Sequence, residues 1–417
     1  MPTYNPEVGR SQVGQNIVYD DDLIFYYDMY NEYTSFKGKP TTNLLSEPNG
    51  FTTWDLSSVS QENVFAVPYK KLVENTSSSS SFALLNSSVT FGLDYTMSVY
   101  AKKSERSFVQ LAPSTGFSQG SYANYDLDTG TITGSFPANA ASMEYIKVGE
   151  YKGWWRCQYT ATSNLTTTSG RILVAIVPVS TSTRLQSYAS IAGYGIYLRD
   201  MQMEQSSFAT PFVDGTRSNT QSLLDLTGNN TITTSNLVYD ANDFSFDGTN
   251  SEISTGYTPG TGVAAAGCTI ECWYKGTKTA RNHLWSWGQS SVNNLDMNFN
   301  DGAYALWLYW DGGGSNAIRF TDAQFGDNFF TDSQVHHIVF THSGSTNTVY
   351  FDGVALTPSD TIGTQTFSST NGATGQLTIS ESPRFAGDVY TTRVYERALS
   401  AAEVRQNFIA TRSKFGL

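Results

Sequence analysis

Three neighbouring stretches hold the residues best able to bind a polar ligand: HLWSWG (283–288), LDMNFNDG (295–302) and YALWLYW (304–310). Indole and phenol rings cover the C–H faces of sugars, while amides and carboxylates meet their hydroxyls. On a strand, alternate residues share a face. Trp285 and Trp287 therefore form one pair of candidate platforms, and Trp307 and Tyr309 a second, with Trp310 opposite. Trp155, in GWWRC (153–157), is a further candidate. A sandwich commits one strand face to its core, so at least half of these rings must be packing residues. In the middle stretch Asp296, Asn298 and Asn300 alternate onto one face, and Asp301 follows. These hard oxygen donors suit calcium, against the plainer reading of a polar edge strand and turn.

Catalytic arrangements are not evident. A glycanase needs two carboxylates flanking the scissile bond, about 5 Å apart for retention, and no strand carries Glu-x-Asp-x-x-Glu or its like. GFSQG (116–120) matches G-x-S-x-G, but a nucleophile elbow must lead into a helix, and SYANYDLD reads as a strand. His336 and His342 are about 20 Å apart along one strand, and His336 and His337 point to opposite faces, so with His283 they read as ordinary strand histidines rather than a zinc site.

These residues belong to elements of one kind. The 417-residue chain contains 25 Tyr and 24 Phe, with only 15% charged residues, and Gly, Ser, Thr and Asn separate short apolar alternations. Such a composition predicts an all-β protein, of two or three domains by length. A mean hydropathy of -0.31 fits a soluble protein. The net charge of -12, with no Lys/Arg block, argues against nucleic acid as a partner. No apolar run approaches the ~18 residues of a membrane span, and MPTYNPEVGRSQVG lacks the apolar core of a signal peptide. Cys268 and Cys272 lie about 13 Å apart on one strand, too far to bridge. With Cys157 they are expected to be buried thiols.

Residues 1–22 read as an extended polar arm. YTMSVYAKK (95–103), the turn in SYANYDLDTGTITG (121–134), RILVAIVPV (171–179) and YGIYLRDMQME (194–204) mark one sandwich within 43–212. A second set of strands fills 213–417. Within it Asp352-Gly353 predicts a two-residue hairpin. Ser400 and Glu403 predict a capped helix to about Ala410, with Val404, Phe408 and Ile409 as its apolar face.

The C-terminal motifs FSFDGTNSEIST, CTIECWYKG, VHHIVFTHSGSTNTVYFDGVAL and GDVYTTRVYERALSAAEVRQNF resemble, in order, the concanavalin A-like jelly rolls of the laminin G and pentraxin type. Val335 stands where that family usually has Trp. Its opening strand is missing just before SLLDLTGNN (222–230), whereas LIFYYDMYNEYTSF (23–36) fits it. The jelly roll is thus expected to start in 23–42, to be interrupted by the 43–212 sandwich, and to resume at 213. Insertion is tolerated where the inserted ends lie close together. The interrupting region resembles a carbohydrate-binding-like β-sandwich of tailed-phage virion proteins, through FTTWD, YDLDTG, GWWRC and QMEQSSFAT. The two resemblances imply a non-enzymatic virion protein in a tail fibre, appendage or head decoration. Its expected partners are other virion proteins and a cell-surface glycan, and a homo-oligomer is the expected state. No cofactor is implied beyond the calcium that related sandwiches bind in rim loops. The alternatives are a decoration or adaptor without a ligand and, less favoured, a polysaccharide depolymerase.

Overall fold

A computed structural model describes residues 17–31, 34–48, 54–64, 67–136, 140–147, 149–241, 243–260, 262–276, 281–288, 294–299, 303–310, 316–325, 334–368 and 375–417. The protein is all-β, in antiparallel sheets, with one longer helix near the C-terminus. It divides into a discontinuous unit, Met1–Pro40 with Ser218–Leu417, and a continuous unit, Thr41–Arg217.

The discontinuous unit stacks two sheets. One runs Val238–Tyr239, Phe244–Asp247, Ala386–Tyr395, Cys268–Gly276, His336–Ser343, Thr346–Phe351, Val354–Ala355. Leu23–Asp28 pairs antiparallel with Ala386–Tyr395, from Leu23 opposite Tyr395 to Asp28 opposite Thr391. Asp225 secures the loop that follows in the fold: its Oδ1 accepts from the Tyr26 backbone N–H at 2.9 Å. The second sheet runs Thr233–Ser235, Glu252–Ser254, Leu377–Ile379, Asn282–Trp287, Leu295–Phe299, Leu306–Trp310, Asn316–Phe320, Asp360–Ile362. Between the sheets Phe25, Ile270, Phe340 and Val394 meet Trp285, Met297, Leu308 and Trp310 in one apolar cluster. Trp285 and Phe340 lie 6.2 Å apart, ring to ring. Large rings of this kind contribute most of a sandwich's burial energy.

The hairpin at Asp352-Gly353 has φ of 48° and 78°, the doubly positive geometry of a type I′ turn. The C-terminal helix spans Ala401–Arg412. Ser400 accepts from the Glu403 N–H, and the Glu403 side chain returns to the Ser400 backbone. Its buried residues are Val404, Asn407 and Thr411; of the expected apolar face, Val404 is buried and Phe408 stacks on Trp273 at 5.6 Å, while Asn407 and Thr411 add a polar part to it. The helix packs on charge as well as on apolar side chains. Glu271, wholly buried, accepts from Arg393 Nη1 and from Asn407 Nδ2 (2.7 Å), and His337 Nε2 lies 3.0 Å away. Asn407 Oδ1 in turn accepts from the Val18 N–H (2.7 Å), and the Tyr395 hydroxyl donates to the Val18 carbonyl (2.8 Å). Residues 17–22 of the arm are therefore docked on this unit.

The continuous unit has two six-stranded sheets facing each other across Met97, Val99, Leu111, Tyr125, Cys157, Val174, Leu198 and Met203. Its first and last strands, Thr41–Thr42 and Thr216–Arg217, pair with each other, extending the unit slightly beyond both ends of 43–212. In the discontinuous unit the Lys37 N–H donates to the Ser222 carbonyl (2.8 Å), and Phe36 bridges Leu223. Both units thus bring the two chain crossings close together. All three cysteines are buried and unbridged. Gly116–Gly120 lies in a loop that leads into the strand Tyr122–Asp126, so no nucleophile elbow forms.

Candidate carbohydrate-binding face

The second sheet of the discontinuous unit has one apolar face and one polar face. Register places His283, Asn298, Trp307, Arg319 and Asp360 side by side on five neighbouring strands. A second row, Thr378, Ser286, Asp296, Tyr309 and Ala317, runs beside it. Adjacent strands are about 4.8 Å apart, so each row spans roughly 19 Å. All ten positions lie on the side away from the apolar cluster.

A bulge makes this face possible. In the pairing of Asn282–Trp287 with Leu295–Phe299, His283 opposes Asn298 but Trp285 opposes Met297. The intervening Leu284 is the extra residue, and it is buried in the core. A bulge re-aims the side chains on either side of it. Here it turns His283 to the polar face, while Trp285 and Trp287 point inward.

The structure therefore separates the candidate residues. Trp285 and Trp287 are wholly buried in the core, which corrects their assignment as sugar platforms: neither offers a ring face. Trp307 and Tyr309 share the polar face with Asp296 and Asn298. Trp155 belongs to the continuous unit. Its ring tilts against exposed Tyr145 at 4.9 Å, and its Nε1 donates to the Leu127 carbonyl (2.8 Å). Gly130, at φ 73°, lies under that ring, where a Cβ would come within 2.5 Å of it. Asn300 and Asp301 lie outside the described residues.

Asp296 receives hydrogen bonds from the Ser286 hydroxyl and the Asn294 amide. Burial pushes its carboxyl up to about 6, against the donors that pull it down. The Tyr309 hydroxyl lies 3.1 Å from His283 Nε2 and accepts from Arg281 Nη2 at 3.0 Å. Burial, helped by the Arg281 charge, lowers His283 to about 4. Arg281 also caps the Tyr309 ring at 5.5 Å. Arg319 lies over Trp307 at 4.1 Å and donates to Asp360 at 3.2 Å. Tyr309 is itself buried, at 4% exposure, and Trp307 half-buried, and each ring lies against a guanidinium.

The row also contains polar atoms without partners. Asn298 is completely buried, and neither its Oδ1 nor its Nδ2 is hydrogen-bonded. Trp307 Nε1, Arg319 Nε and His283 Nδ1 are likewise buried and unpartnered. Such atoms cost about 1–3 kcal/mol each, and in native proteins they call for a partner outside the chain. Arg281, His283, Ser286, Asn294 and Arg319 were not singled out from sequence. Strand alternation alone carries no mark of them, and His283 needed the bulge to reach this face.

Of the calcium candidate only Asp296 and Asn298 lie among the described residues. Among the described residues no three His, Cys, Asp or Glu side chains form a metal-holding group. Asp296 is held by the Ser286 and Asn294 donors and Asp360 by Arg319, whereas calcium requires a shell of oxygen acceptors.

The sequence matches none of the curated proteins compared with it. Among solved structures, a botulinum neurotoxin DC binding domain in complex with SialylT shares 10% identity at a TM-score of 0.35, over 46% of this chain and 49% of that one. The binding domain of Paraclostridial Mosquitocidal Protein 1 shares 16% at a TM-score of 0.33, over 45% and 49%. The chain thus spans about half the length of these solved chains. Residues 247–405 match the family model described as the concanavalin A-like lectin/glucanases superfamily, so the segment that builds both polar rows from Asn282 to Ile379 is similar to that superfamily.

Proposed function

We propose that this protein is a non-enzymatic glycan-binding component of a tailed-phage particle, and that it holds its ligand on the polar face around Asn298. The observation that carries this reading is Asn298 itself: a fully buried amide with both polar atoms unpartnered, set between His283 and Trp307. An amide recognises a hydroxyl by accepting its hydrogen and donating to its oxygen. Flanking aromatic edges and guanidiniums suit a polyhydroxylated ligand. The placement in a virion rests on the ordered motifs of 43–212, GWWRC and QMEQSSFAT foremost, and calls for other virion proteins as partners. Many copies on one particle would turn a weak site into firm attachment.

A glycan array probed with a multimerised form tests the activity. Selective binding that is lost in Asn298→Leu is expected, and a blank array would overturn the reading. Antibody labelling of phage particles tests the location, with decoration of a tail or head appendage expected.

A further inference from the structure

We infer that the glycan bound at this face carries a carboxylate, as a uronic acid does; the inference rests on the carbohydrate reading above and narrows its ligand. The reason is an imbalance of hydrogen-bonding capacity. The unpartnered atoms of the row are the Trp307 Nε1–H, the Arg319 Nε–H and the Asn298 Nδ2 amide, all donors, against Asn298 Oδ1, an acceptor. His283 Nδ1 takes either role according to its tautomer. A neutral hydroxyl brings a hydrogen with each oxygen, so matching several donors through hydroxyls obliges each of those hydrogens to find an acceptor as well. A carboxylate brings two acceptor oxygens and no hydrogen.

Position favours the Arg319 end of the row. Arg319 Nε and Trp307 Nε1 belong to directly opposed residues of neighbouring strands. Arg319 is 18% exposed in its side chain, and Trp307 is half-buried, so this end lies nearer solvent than Asn298. Asp360 engages Arg319 through Nη1, leaving the Nε edge free. At the other end exposed Arg281 makes its hydrogen bond to Tyr309 and has no ion-pair partner among the described carboxylates. The acidic groups nearby are Asp360, Asp296 and, acting on Asp296 through its charge, Glu381. Asp296 is already held by Ser286 and Asn294. A hydrogen bond between an ionised acceptor and a guanidinium is roughly twice as strong as a neutral one, so the acidic sugar gains where a neutral one does not.

Titration calorimetry with a hexuronate oligosaccharide and with its carboxyl-reduced counterpart, the neutral hexose chain of the same linkage, separates the possibilities. The uronate is expected to bind about tenfold more tightly or better, and added salt should weaken it. Arg319→Gln should weaken the uronate chain far more than the reduced chain, so that the preference is abolished. Arg281→Gln, at an exposed residue, should lower it without altering the melting temperature. Equal binding of the two chains, or preference for the reduced one, overturns the carboxylate inference and leaves the carbohydrate reading standing. Binding of neither, together with a blank neutral-glycan array, overturns the carbohydrate reading itself.

Discussion

Replacing Glu271 with Gln should cost the discontinuous unit about 3 kcal/mol at neutral pH. Glu271 is wholly buried, and although desolvation opposes its ionisation, Arg393, His337 and Asn407 more than offset this and bring its carboxyl from the ordinary 4.5 down to about 2. At ~1.4 kcal/mol per tenfold change in proton affinity, that difference is worth about 3 kcal/mol. Breaking a buried pair by removing one partner costs a similar ~3–5 kcal/mol, because the other charge is left uncompensated. The pH dependence has a definite sign. A carboxyl depressed in the folded state contributes its stability above about 4.5 and loses it as pH falls from there to about 2. Glu403, Glu105 and Asp247 are also depressed, so the informative quantity is the difference between parent and variant. Glu271→Gln should lie below the parent at pH 7 and converge with it toward pH 2. Urea titration with peptide-resolved hydrogen exchange reads the opening of Cys268–Gly276 and of Ala401–Arg412 separately from the continuous unit. The double variant Glu271→Gln/Arg393→Met should recover part of the loss, since it leaves no orphan charge. A loss under 1 kcal/mol in the single variant, or a gap from the parent that is the same at pH 3 and pH 7, would refute the ion-pair account.

Other substitutions test other parts of the molecule. Asn298→Leu removes two unpartnered buried polar atoms, so it should raise or preserve the melting temperature while abolishing glycan binding; a large drop in melting temperature would show that the amide is structurally paired. Gly130→Ala forces a Cβ against the Trp155 ring at a positive φ and should destabilise the continuous unit by about 1–3 kcal/mol, read by calorimetry. Ser400→Ala removes the helix cap and should cost about 1 kcal/mol, with exchange rising first in the Ala401–Arg412 amides.

What could be seen in the sequence depended on whether a local rule governed the residue. Ser400 and Glu403 stand at cap spacing, and Asp352-Gly353 at a two-residue turn, so both elements were legible. Alternation alone put Trp307 with Tyr309 on one strand face and Asp296 with Asn298 on another, without relating the two strands. It could not choose which aromatic pair faced inward. Trp285 and Trp287 satisfy the same alternation, and only the bulge at Leu284 decides that they face the core while His283 does not. The polar part of the helix face was missed for a related reason. Asn407 and Thr411 look like solvent-facing residues until Glu271 and Arg393, far away in the chain, supply their partners.

The pairing of Leu23–Asp28 with Ala386–Tyr395 also sets an order of events during synthesis. The first strand leaves the ribosome with its hydrogen-bonding edge exposed, and its partner does not exist until more than three hundred further residues have been added. At ~5–20 residues per second this interval lasts from roughly 20 seconds to over a minute. Residues 41–217 are complete long before then, and closing Thr41–Thr42 onto Thr216–Arg217 draws together the chain that Phe36 and Leu223 must later join. For the discontinuous unit, the intervening unit acts as a clip that shortens a long loop before its entropy has to be overcome. A nascent chain stalled before residue 386 would retain an unpaired, strongly apolar strand at its start, an edge prone to aggregation.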